Sequence, residues 1–450
     1  MSPDPLLAPA DVSVDARRDA VGRRAGRWGV PILAAAILAV SVVWGWAVQS
    51  DPNTKLGAAP LVGQWRARYG PSLLIAAAIA TLVVTRGARV IHRWPFARVV
   101  VGGAVTAVAF TFTLAASDGL GHVLDPVVHP TEYWANLATL PPAGEMVRRY
   151  DTIGFLLNFS VHAKGHPPGF LLVLKALGAI GLGHPWAAGA LSYIGVGVVV
   201  AAVAVTVRIV AGEHQARSLV PFLALAPYSV WMGTSADAFY AAVAGTGVVA
   251  VVAAVRAEAP ATRRLGALAG GAVLAAALFL TYGAAILLLL PLVLVVALGW
   301  RHWRALGEVI GLAAAGAATV VVAFALGGFW WFDGAATTKT FYWWGTAQFR
   351  PAGYFAVGNL GAAIIACGPA VVVALGRRRP AAVWWIVGGA LACIAVADAS
   401  QYSKAEVERI WLLFYPWLVP AAVVLRRRRL WLAAQATLAI GLQLMLVSKW

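Results

Sequence analysis

The chain has 450 residues, of which 61% are hydrophobic and only 12% charged, a balance no soluble domain of this length needs to fill its core. Its formal net charge of +17 would suit a nucleic-acid partner, but the basic residues fall in short clusters between apolar runs of 16 to 23 residues. Composition thus excludes a soluble domain and argues against nucleic acid, and the charge reads as membrane topology.

Residues 1–27 form a polar tail with five arginines, expected to be cytoplasmic. The apolar run Trp28 to Gln49 is too long for a signal-peptide core and is read as a retained signal anchor. Apolar segments then predict an all-α, polytopic transmembrane helix bundle of about thirteen spans. They lie at 28–48, 70–85, 99–117, 187–210, 218–233, 236–255, 266–282, 283–299, 307–327, 355–375, 381–399, 410–425 and 430–448. Between the third and fourth lies the longest polar stretch, which includes Asp118 to Gly169. It carries Asp118, Asp125, Glu132, Glu145 and Asp151, and four of the eight histidines: His122, His129, His162 and His166.

The run Phe170 to Leu182 decides the topology. If it does not cross, 23 of the 35 Lys and Arg residues, in the clusters around Arg17, Arg86, Arg208, Arg256, Arg301, Arg377 and Arg426, share one side. That asymmetry is what the positive-inside rule expects. Residues 170–182 are therefore read as a juxtamembrane or re-entrant helix entered through Pro167 and Pro168. The N-terminus is then cytoplasmic, and the outer loop 118–186, with its juxtamembrane helices, faces outside. Aromatics crowd residues 329–344, as an interfacial belt or a lid over a lipid or sugar site. Cys367 and Cys393 sit in separate apolar runs and suggest buried thiols.

Four groups of residues could carry chemistry. Lys164 and His166 put potential cations where the chain re-enters the membrane, suited to a phosphate or simply to interfacial snorkelling. Glu132, beside Tyr133 and Trp134, is a general-base candidate if partly shielded from water, with Asp118 and Asp125 as rivals; the plainer reading is a solvated loop acid. Asp237 stands at a span edge as a functional acid or an N-cap. Lys404, Glu406, Glu408 and Arg409 crowd the entry to an apolar run, where Arg409 could pair with either glutamate or with a lipid phosphate. No Asp-X-Asp pair, Walker sequence or His-Glu-x-x-His occurs, so no metal ligands and no cofactor are expected; a divalent cation is possible but not indicated.

The outer-loop acid Glu132-Tyr133 followed by His166-Pro167-Pro168 resembles the glycosyltransferase C superfamily, polytopic transferases that use polyprenyl-phosphate sugars. Two positions depart from its usual motifs: Gly169 stands where those relatives have leucine, and a single Glu where they usually have Asp-Glu. Together with Ser403-Lys404-Ala405-Glu406-Val407-Glu408-Arg409-Ile410-Trp411, the pattern is similar to a group of actinobacterial integral membrane proteins. The resemblance implies a superfamily-like domain over 99–450, with 28–98 as a two-span N-terminal addition. It also implies a polyprenyl-phosphate-linked sugar donor, a cell-envelope glycan or lipid acceptor, and a site on the outer face of the plasma membrane. Glu132, Asp118 and Asp125 are then the catalytic candidates. Lys164, His166, Lys404 and Arg409 would hold the donor phosphate, and Asp237, Tyr133, Glu406 and Glu408 would contact substrate. A transporter or flippase of a lipid-linked or amphipathic substrate is the alternative.

Overall fold

A computed structural model of the protein describes residues 12–448 apart from Thr234, Arg378 and Arg379, and of residues 12–27 the backbone alone. Residues 1–11 of the expected tail lie outside the described residues. The described chain is all-α apart from four two-residue strands. Its α-helices of ten or more residues are numbered here in chain order.

Helix α1 (Val12–Val48) leads to three short strands, β1 (Gly57–Ala58), β2 (Leu61–Val62) and β3 (Gln64–Trp65), then to α2 (Ser72–Arg93) and α3 (Phe96–Ala115). The polar stretch after α3 folds into short turns and ends in α4 (Gly169–Ala179). Next come α5 (Pro185–Ala211), α6 (Glu213–Ala224), α7 (Asp237–Arg256), α8 (Pro260–Leu278), α9 (Leu289–Gly299) and α10 (Trp303–Leu326). After α11 (Trp331–Trp344) follow α12 (Ala352–Leu375), α13 (Ala381–Ser400), α14 (Arg428–Met445) and β4 (Leu446–Val447). The strands β1 and β2 pair antiparallel, and β3 pairs antiparallel with β4.

Among the described residues, eight helical stretches are long and apolar enough to cross a membrane. A ninth is added if Val407–Leu413 and Tyr415–Val424, bent by 79°, count as one. That is fewer than thirteen, for local reasons. The expected span at 218–233 is the twelve-residue α6 plus a separate turn, Ser229–Met232, interrupted around Pro227. Its residues are apolar because protein encloses them: Leu219, Phe222, Leu223, Tyr228 and Trp231 are all buried. Helix α14 carries Arg428 and Arg429 in its first turn and buries Gln435 and Gln443. The expected spans at 283–299 and 307–327 fall in one apolar stretch, Ala284–Leu326, interrupted where His302 leaves helical geometry (φ −122°, ψ 57°).

Helix α4 is eleven residues long, about 16 Å at the helical rise and well short of a hydrocarbon core of about 30 Å. Its Gly169 donates its N–H to the Phe279 carbonyl at 2.9 Å, and a Cβ there would strike that same oxygen. Close backbone packing thus accounts for glycine at a position where a leucine could not fit.

Two close-packed helix groups frame the site. Helices α5, α7, α8 and α10 pack in succession, with Gly271 of α8 and Gly316 of α10 letting the two backbones touch. Helix α1 packs against α12, where the Tyr354 hydroxyl donates to the Ser41 carbonyl at 3.1 Å. Helix α12 itself is broken at Gly368 (φ 79°), just before Pro369. The buried Gln435 of α14 splices the break: its Nε2 donates to the Cys367 carbonyl at 3.0 Å, and its Oε1 accepts from the Ala370 N–H at 3.3 Å.

Candidate functional site

Four ionisable side chains from distant parts of the chain meet beside the first turn of α7. Glu132 precedes a 3-10 turn, Tyr133–Thr139; His162 lies in the short helix Val161–Lys164, whose N-cap is Ser160. Asp237 opens α7, and Arg409 sits in the turn Val407–Ile410. Arg409 joins them. Its Nε donates to Asp237 Oδ2 at 2.8 Å and its Nη1 to Glu132 Oε1 at 3.1 Å. Its Nη2 donates to His162 Nδ1, while His162 Nε2 lies 3.4 Å from Glu132 Oε1. The other ring nitrogen, Nε2, also lies 3.3 Å from Arg409 Nη1, so the imidazole sits between the guanidinium and Glu132. The Ser235 hydroxyl completes the set by donating to Asp237 Oδ2.

The cluster is nearly dry. The Arg409 and Asp237 side chains are each 5% exposed and Glu132 13%. Burial raises the Glu132 carboxyl to about 7, against the pull of Arg409 and with help from the negative charge of Asp237. Near neutral pH Glu132 is therefore poised between its two protonation states, as a general base needs to be. His162 and His166 are linked through the backbone, since His166 Nδ1 donates to the His162 carbonyl at 2.9 Å. Burial pushes His166 below its ordinary value, which leaves its ring neutral at pH 7. Tyr133 packs edge-on against His162, His166 and Phe170, and burial pushes its phenol well above the usual range. A small cleft reaches Glu132 past Phe170, Leu174 and Ala188.

The remaining residues singled out from sequence lie apart from this cluster. Asp118 pairs with Arg68 at 2.5 Å, and Asp125 pairs with His122 at 2.7 Å on the exposed surface. Lys164 Nζ donates to the Leu157 carbonyl at 3.2 Å and stands over the Phe341 ring. Lys404 Nζ donates to the carbonyls of Ala347 and Arg350 at 3.3 and 3.0 Å. Glu406 is 3.4 Å from Arg350, whose Nε in turn donates to the Thr54 carbonyl. Glu408 is fully buried, where it accepts the Val62 N–H at 2.8 Å. Of the four residues expected at a donor phosphate, Arg409 alone is in the cluster, and His166 borders it.

These outlying contacts hold the segment that aims Arg409. Gln401, Ala405 and Glu406 all have left-handed backbones (φ 58°, 65° and 62°), a conformation costly for residues with a Cβ. Asn359 braces that turn, donating to the Ser403 carbonyl at 2.9 Å and accepting from the Ala405 N–H at 3.2 Å. Three residues of the assembly, His162, Arg350 and Asn359, were not among the site candidates drawn from sequence. His162 had a signal in its spacing, four residues before His166; Arg350, alone in an aromatic stretch, had none.

Among the described residues, no group of three or more His, Cys, Asp or Glu side chains is placed to hold a metal ion. Comparison of the chain with protein-family models, curated proteins and solved structures finds no match.

Proposed function

We propose that the protein is a membrane transferase that moves a sugar from a polyprenyl-phosphate donor to an acceptor hydroxyl of a cell-envelope glycan or lipid. The observation that carries this reading is Glu132: a buried carboxyl held at about 7, hydrogen-bonded to Arg409, in the stretch of chain between two helices long and apolar enough to cross a membrane. The sidedness inferred from charge puts the site at the outer face of the plasma membrane, with the N-terminus cytoplasmic. Nucleotide sugars are cytoplasmic, so a donor reaching such a site travels on a lipid.

Glu132 takes the proton of the acceptor hydroxyl as the acceptor oxygen bonds to the anomeric carbon. The bond from that carbon to the phosphate oxygen breaks, and its electron pair leaves on the phosphate, which needs no general acid. Direct attack inverts the anomeric centre. Arg409 couples the two ends of this reaction. When the donor phosphate takes over part of its guanidinium, the bond to Glu132 weakens and the carboxylate becomes the stronger base it must be. Lys164 and Lys404, bonded to backbone carbonyls, act by holding the loops around the donor. His162 and His166, with Tyr133, line the acceptor side.

The test is transfer and donor binding measured side by side on Glu132→Gln. Loss of the base should lower transfer by ~100- to 10,000-fold while donor affinity stays close to wild type. Full transfer activity in this variant would overturn the assignment.

A transporter is the second reading, favoured by two interrupted helices: the break at Gly368 in α12, and the 79° bend in 407–424, which contains the buried Glu408. Movement of a fluorescent lipid-linked substrate across reconstituted vesicles, without chemical change, would favour it over transfer.

A further inference from the structure

A second polar site opens away from the Arg409 cluster. The strand β3 continues into Arg66, Ala67, Arg68 and Tyr69, which face the loop Ser117–Gly119 across an open cleft of about 450 Å³. Its wall is rigid. The N–H groups of Arg66 and Arg68 donate to the carbonyls of Met445 and Leu444 at 2.8 and 2.7 Å. The Arg68 guanidinium is fixed by Asp118 at 2.5 Å, by the Leu446 carbonyl at 2.5 Å and by the Gln443 carbonyl at 3.3 Å. Gln443 also donates to Ser117 Oγ at 2.9 Å, tying the far side of the cleft to the same helix.

Arg66 behaves differently. It lines the cleft, is exposed, and its guanidinium makes no hydrogen bond to the described residues. With Arg68 already matched to Asp118, the described lining keeps one positive charge without a counter-charge, which is carried by Arg66. The cleft lies where two membrane-crossing stretches meet, at the first turn of α2 and at the end of Phe96–Asp118. Beside it Tyr69 is 85% exposed and Trp65 53%, whereas Leu74, one turn into α2, is 75% exposed on an apolar helix face. Amphipathic aromatics above an apolar face mark the depth of lipid headgroups. The Pro71 N-cap of α2 supplies no side-chain hydrogen bond, so the positive end of that helix also faces the cleft.

We propose that this cleft binds the phosphate of an anionic lipid headgroup, with Arg66 as its movable ligand and the Arg68–Asp118 pair as its fixed wall. A guanidinium matches two phosphate oxygens at once, and Tyr69 and Trp65 flank the headgroup where it meets the glycerol backbone. This site is independent of the transferase reading: its ligand is a lipid of the surrounding bilayer, and its residues touch none of the Arg409 cluster.

The experiment uses the full-length protein in nanodiscs of phosphatidylcholine with one-tenth phosphatidylglycerol. It measures the phosphatidylglycerol retained after transfer to neutral detergent, for wild type, Arg66→Gln and Tyr69→Ala, with and without inorganic phosphate in excess. The Arg66 guanidinium has no hydrogen-bond partner among the described residues, and the substitution leaves the backbone bond to Met445 in place, so the variant is expected to fold; thermal stability equal to wild type checks this. The expected result is retention that falls at least tenfold in Arg66→Gln and resists inorganic phosphate. Equal retention in wild type and Arg66→Gln would overturn the site. Binding of inorganic phosphate that depends on Arg66 and displaces the lipid would overturn the lipid as its source.

Discussion

Arg409 is the only positive charge bonded to Glu132 and Asp237 among the described contacts, so its removal has an effect that pH can report. Arg409→Met keeps much of the side-chain volume but leaves two buried carboxyls without their cation. Breaking a buried pair in this way typically costs about 3–5 kcal/mol. The cost depends on protonation. In the wild type Glu132 is held at about 7 with Arg409 pulling it down, so loss of the arginine moves it higher still. A carboxyl raised in the folded state binds a proton that the unfolded chain has released, and the folded state loses stability as pH rises above the unfolded value. With the variant's carboxyl still protonated throughout, it holds about half a proton more than the wild type at pH 7 and about one more at pH 8.5. The gap between them should therefore widen by roughly 2 kcal/mol over that interval. Equilibrium unfolding in mixed micelles at pH 5.5, 7.0 and 8.5 measures it. A gap that stays constant across the three values would refute the arrangement of charges described here.

Three more outcomes test the same framework. Because Glu132 must be unprotonated to accept a proton, transfer should rise about tenfold per unit below pH 7 and level off above it; a rate flat from pH 5.5 to 8 would contradict this. Gln435→Ala removes both bonds across the break in α12 and leaves the Ala370 N–H and the Cys367 carbonyl unmatched, so unfolding should show a loss of about 1–3 kcal/mol for each group. Glu408→Gln keeps an acceptor for the Val62 N–H and should stay within about 1 kcal/mol of wild type, whereas Glu408→Ala should lose about 2 kcal/mol or more; equal loss in both would mean that the carboxyl charge itself matters there.

Much of the site was legible in the sequence because its residues break the local pattern. An acid between aromatics at Glu132, an acid at a helix start at Asp237 and an arginine against an apolar run at Arg409 are each conspicuous, and the structure brings all three together. What could not be read was partnership. Asp118, Asp125, Lys164 and Lys404 look as reactive as Glu132 in one dimension. Their partners are either near neighbours such as His122 or remote groups such as Arg68 and the Arg350 carbonyl, and no periodicity announces those. The number of long apolar helices differs from the expected span count for a related reason: hydropathy does not distinguish a segment enclosed by protein, such as 218–233, from one that faces lipid. At α4 the expected short helix after two prolines is found, eleven residues long.

The pairing of Gln64–Trp65 with Leu446–Val447 has a consequence for biogenesis. One strand leaves the ribosome early and the other after the several hundred residues between them, a delay of roughly 20 to 80 s at ordinary elongation rates. Throughout that interval the early segment, with Arg66 and Arg68 just after it, lacks the partner that it has in the folded chain. The ribbon can therefore close only once α14 has been made.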